Sequence, residues 1–250
     1  MPTGSLVSIR SLFFVPMARL PRLYAPGLPQ LVQASFAEPL AQPDQPAPAA
    51  LLNDLTAWLG AAATRHRVSV HGWVLAIDRV VLLATPVDEE GLPRLMQTLG
   101  RNLASRQRGG RIFAGRYRSA LLEPGQWVLP ALVWLESLPG QAGSPDIEAW
   151  PWSSAASHTG LLGSPPSWLV DHADYWSCGN TPFDRQANYR RRLHEGLSRE
   201  QSERIRATLA GQWALGGPAF LEKLTHTASR RVSPGQRGRP RKQPLPPTEA

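Results

Sequence analysis

The stretch Val68–Pro86, VSVHGWVLAIDRVVLLATP, constrains this chain most. Apolar side chains alternate with others over Val68–Ala76 and again over Arg79–Thr85, with only Ile77-Asp78 between the two runs. Two alternating runs across so short a break predict a β-hairpin.

The flanking sequence predicts what the hairpin packs against. A first strand is expected near Leu31–Phe36, then a proline-rich loop over residues 37–49. From Ala50, the positions Leu51, Leu52, Leu55, Trp58, Leu59 and Ala62 follow helical spacing, ending near Arg65-His66. After the hairpin, Asp88-Glu89-Glu90 places acids at the start of a second helix, where the macrodipole favours them. Its apolar stripe is Leu92, Leu95, Met96, Leu99 and Leu103; Gly100 inside it costs about 1 kcal/mol relative to alanine. SRQRGG (105–110) reads as a basic turn, Arg111–Leu122 as a strand, and residues 125–137 as a buried helix.

That order is β-α-β-β-α-β. It predicts a ferredoxin-like α+β fold, an antiparallel sheet with helices on one face, plus a C-terminal helical segment. Ser198-x-x-Gln201 is a capping box opening a helix with Ile205, Leu209 and Trp213 on one face. The expected division is an extension over residues 1–16 ahead of a start at Met17, an α+β domain over 17–158, a linker with helices over 159–228, and a disordered basic tail over 229–250.

Composition narrows the function. The formal charge is +8, carried almost wholly by arginine, with Lys223 and Lys242 as the lysines. Such an excess suits polyanions, nucleic acid above all. One cysteine, Cys178, excludes internal disulfides and cysteine metal clusters and fits a reducing cytoplasm. No run reaches the roughly 18 apolar residues of a membrane span. No phosphate-binding glycine loop, Ser-His-Asp arrangement or nucleotide fingerprint is present. His158, His172, His194 and His226 share no ligand spacing, and His71 reads as a satisfied structural histidine.

Eight segments together resemble the REP-associated tyrosine transposases: MARLPRL, PGLP, VHGWVL, LMQTLG, GRYRS, WPWSS, QWALG and GRPRK, spread from Met17 to Lys242. The resemblance implies recognition of hairpin or single-stranded DNA, strand cleavage and rejoining, and a homodimer. In that family two histidines on the second hairpin strand hold Mg²⁺ or Mn²⁺, and a tyrosine attacks the phosphate. Here the histidine positions hold Arg79 and Val81, and the alignment puts Leu103 and Arg106 at the tyrosine positions. Valine has no lone pair to donate, and a permanently charged guanidinium repels a cation.

The resemblance therefore implies a degenerate member: no catalytic residue, no metal, no cofactor, and DNA binding without cleavage. The alternatives are an active transposase using non-standard residues and a fold reused as a protein-interaction module. The expected DNA contacts are Arg79, Arg111, Arg116, Tyr117 and Arg118, in which guanidinium meets phosphate and ring meets base. Arg237, Arg239, Arg241 and Lys242 add a motif like an AT-hook.

Overall fold

The computed structural model describes residues 21–42, 45–107, 110–141 and 147–234. The expectations for residues 1–16 and for Arg237, Arg239, Arg241 and Lys242 lie outside these.

In chain order the elements are β1 (Gln30–Ser35), α1 (Ala49–Arg65), β2 (Val68–Leu75), β3 (Arg79–Pro86), α2 (Gly91–Arg106), β4 (Arg118–Leu122) and α3 (Val128–Glu136). There follow α4 (Leu138–Gln141), α5 (Ala155–His158), α6 (Ala173–Trp176), α7 (Pro182–Glu195), α8 (Arg199–Gly211), β5 (Ala214–Leu215) and α9 (Pro218–Thr225). The sheet order is β2-β3-β1-β4-β5. The first four strands pair antiparallel, as a ferredoxin-like β-α-β-β-α-β requires, and β5 joins β4 in parallel.

Period-two alternation splits the strand side chains between two faces. Val32, Ala34, Val80, Leu82 and Ala84 meet α1 and α2 through Leu52, Leu55, Leu59, Leu95 and Leu99. Leu31, Val81, Leu83, Ala120 and Leu122 point the other way, onto α3, α7 and α8. Helices thus lie on both faces, whereas the sequence pattern placed them on one. The segment after residue 159 contributes Tyr175, Tyr189, Leu193, Ile205, Leu209 and Leu215 to the same core as the strands.

Four further details depart from expectation. The strand read as Arg111–Leu122 begins only at Arg118; before it Phe113 makes one isolated bridge to Phe36 and packs against Gly100. The hairpin carries a β-bulge between Val70 and Gly72. The capping box at Ser198 and Gln201 is formed, but its helix stops at Gly211, and Gln212 adopts a left-handed φ of 57°. Trp213 therefore leaves the helix and lies over Arg230. Finally α7 is a helix that no sequence pattern had located within the expected linker and helical segment, with Thr181 capping it by accepting from the backbone N–H of Asp184.

Both sheet edges are closed by irregular chain. Along β2, Leu75 N–H donates to Trp152 O, Ser154 N–H to Trp73 O and Val170 N–H to Val70 O. At β5, Ala214 N–H donates to Val232 O. Closed edges protect a sheet from pairing with other chains. Among the described residues no helix is long and apolar enough to cross a membrane.

Candidate functional site

The strand register brings Gln33 of β1 opposite both Val81 of β3 and Arg118 of β4, and Ser35 opposite Arg79. Gln33, Arg79, Val81 and Arg118 therefore share one sheet face, the face that α3 and α8 cover. Where the cover ends, a cleft of about 940 Å³ opens. Its apolar walls include Ala76, Ile77, Trp134, Leu138, Trp150 and Leu209; its polar lining is Gln33, Gln45, Asp78, Arg79, Arg118 and Arg206. An apolar cleft with a few convergent cations is the form a ligand site takes.

Arg79 reaches the cleft together with its counter-ion. Its Nε donates to both carboxylate oxygens of Asp78, at 3.0 and 2.9 Å, and a terminal nitrogen donates at 2.5 Å. That hydrogen-bonded pairing raises the guanidinium pKa further. A phosphate at Arg79 has to compete with Asp78. Arg118 is exposed and pairs with no carboxylate among the described residues. Val81 is fully buried under α3 and lines nothing.

Leu103 is buried against the opposite sheet face, in the α1–α2 core. Arg79 and Val81 lie on the other face of the sheet, so Leu103 does not face them. Arg106 ties the two helices instead, its Nε donating to Asp54 at 3.2 Å. The elements that do face Arg79 are α3, with Trp134, and α8, with Arg206 and Leu209. No histidine, cysteine, serine, threonine or tyrosine lines the cleft among the described residues. No group of three or more His, Cys, Asp or Glu among those residues is placed to hold a metal.

The other expected contacts fall outside the cleft. Arg111 folds back on its own loop, donating to the carbonyls of Phe113 (3.1 Å) and Ala114. Arg116 is exposed on the same loop. Tyr117 is buried, with the Arg22 guanidinium 3.6 Å above its ring centroid, and burial pushes its phenol up to about 12. A base can reach that ring only by displacing Arg22. Sequence reading missed Gln33, Trp134 and Arg206. Arg206 lies three residues before Leu209, at the border of the apolar stripe of α8, and that spacing was its only signal.

A second polar cluster is structural. The Glu136 carboxylate is completely buried and accepts from Ser154 Oγ, from His158 Nδ1 at 2.6 Å and from Tyr189 Oη at 2.6 Å. Tyr175 Oη donates to His158 O at 2.7 Å. Beside it, His71 Nδ1–H donates to Val170 O (2.7 Å), Nε2 accepts from Thr85 Oγ1 (2.9 Å), and the ring packs 5.0 Å from that of His172. The fold thus gathers three histidines that share no sequence spacing. His71 has both nitrogens satisfied, as expected of a structural histidine. Burial holds its imidazole down at about 4.

The fold is similar to that of a REP-associated tyrosine transposase solved bound to a REP hairpin, at 13% sequence identity and a TM-score of 0.46, over 62% of this chain and 93% of that one. No protein-family model and no curated protein matches the sequence.

Proposed function

We propose that this chain is a transposase-like DNA-binding protein that holds single-stranded or hairpin DNA without cutting it. One observation carries the reading: Arg118, Arg79 and Arg206 converge on a single apolar cleft whose described lining holds no tyrosine, serine, threonine, cysteine or histidine. Phosphates suit the guanidinium end, and unpaired bases suit the walls of Trp150, Ile77 and Leu138. The excess of positive charge adds long-range attraction for a polyanion.

The test uses labelled hairpin, single-stranded and duplex oligonucleotides, with and without Mg²⁺ or Mn²⁺, run on native and denaturing gels. A native shift with no cut strand and no covalent adduct supports the proposal. Cleavage or an adduct makes the protein an active enzyme with unorthodox residues. No shift at low salt leaves a protein-interaction module. Arg118→Ala is expected to weaken binding several-fold and to lower the salt slope by about 0.7 to 0.9, the value of one phosphate contact. An unchanged slope removes Arg118 from the interface.

A further inference from the structure

A second basic surface lies on the far side of the sheet from the cleft. On α2, Arg94, Thr98 and Arg101 stand at i, i+4 and i+7 on one face, two exposed arginines about 10 Å apart along the axis with the half-buried Thr98 between them. The large apolar side chains of α2 all turn inward, so the stripe is polar throughout. The end of α1 is brought against it: His66 lies 3.0 Å from Thr98 through Nε2 and Oγ1, and Arg101 reaches the same oxygen at 3.5 Å. Thr98 spends its own proton on Arg94 O, at 2.9 Å. It therefore accepts from His66 Nε2–H, which leaves Nδ1 as the nitrogen that gains a proton on acidification.

The charges here are incompletely neutralised. Arg94 is held by Glu90, and Arg67 lies 3.8 Å from Asp88, but Arg65 and Arg101 pair with no carboxylate among the described residues. His66 registers the result. Burial, and then the positive charges of Arg65, Arg94 and Arg101, hold its imidazole below the ordinary range. A bound anion would reverse that electrostatic contribution.

We propose that Arg65, His66, Arg94, Thr98 and Arg101 form a second contact for the phosphodiester backbone of a nucleic acid. It rests on the nucleic-acid reading of the cleft and extends it to a separate surface. β2 runs from beside His66 to the Ile77-Asp78 turn at the cleft, about 25 Å for its eight residues. One short single strand filling the cleft does not reach the stripe; a longer or duplex-bearing DNA can.

Two oligonucleotides separate the contacts: a 4-nucleotide single strand, about 14 Å at the duplex rise and too short to span both, and a hairpin with a long duplex stem. Binding is measured against salt for the unaltered protein and for Arg65→Ala/Arg101→Ala. Both side chains are exposed, so the fold should persist. The expected result is a salt slope for the long hairpin lower by roughly 1.8, two contacts at about 0.9 each, with the short strand unaffected. In parallel, NMR titration of His66 should move upward when the long hairpin binds and stay in place with millimolar inorganic phosphate. An equal shift with inorganic phosphate would make this a small-anion site and overturn the backbone assignment. Normal hairpin binding with unchanged slope and an unmoved His66 overturns the second contact alone. Failure of both oligonucleotides to bind the unaltered protein overturns the nucleic-acid reading beneath it.

Discussion

Glu136 shows how one residue can determine where several elements lie. A carboxylate with no exposure to water is strongly unfavourable unless its lone pairs are filled. Here Ser154, His158 and Tyr189 fill them, and these three side chains come from the turn before α5, the end of α5 and the middle of α7. The acid at the end of α3 thereby fixes where the irregular chain around residues 153–158 meets α7. Replacing one donor tests this. Tyr189→Phe leaves the ring in place and removes the hydroxyl that donates to Oε2, so the protein should lose about 1–3 kcal/mol. Urea unfolding of the two proteins measures the difference. An unchanged midpoint at equal slope would mean that the carboxylate does not depend on that hydroxyl.

At the scale of elements, the bulge in β2 keeps an apolar strand facing one core. Val68 and Val70 point toward α1 and α2; the extra residue at His71 shifts the parity, so that Trp73 and Leu75 continue the same face. Gly72, beside the bulge, is where α3 approaches the sheet. A β-carbon there would lie 2.3 Å from Leu132 Cδ1. Gly72→Ala should therefore cost about 1–3 kcal/mol through overpacking. Combining it with Leu132→Ala should cost less than the sum of the two single changes, because each relieves the other. Additive losses, measured by denaturant unfolding, would mean that the two residues are not in contact.

These elements also mark what could be read in advance. The hairpin, α1 and α2 were legible because their apolar residues repeat at periods of two and of three to four. A one-residue bulge leaves no such trace. α7 escaped because only Tyr189 and Leu193 are buried on its fourteen residues, too few to make a stripe. Arg79 could be placed from strand alternation, but its capture by Asp78 and the arrival of Arg206 and Trp134 depend on how α3 and α8 dock.

For the molecule as a whole, stability is tied to pH through the segment that closes the β2 edge. His71 joins that segment to the sheet, donating to Val170 O on one side and accepting from Thr85 on the other. Its imidazole titrates at about 4 when folded, against about 6.5 in an unfolded chain. Between those values the unfolded state binds the extra proton, so stability must fall as pH falls from about 6.5 toward 4 and lose nothing more from this group below that. The full difference corresponds to about 3 kcal/mol. Burial lowers His172 as well, against the pull of Asp174, which adds to the loss with the same sign. Protonating His71 removes its acceptor for Thr85 and introduces a buried charge. The charged ring keeps its Nδ1–H bond to Val170 O, which favours the charge, but burial opposes it more strongly; opening of the segment at Leu169 and Val170, which lets water reach the ring, should therefore precede global unfolding. His71→Gln can keep a donor and an acceptor but does not titrate. Urea unfolding from pH 7.5 to 4.5 should then give a stability curve for the variant that is flatter than the unaltered protein's across pH 6.5 to 4.5. Hydrogen exchange should report opening of Val170 N–H on acidification only where His71 is present. Parallel stability curves would place the acid sensitivity of this fold elsewhere.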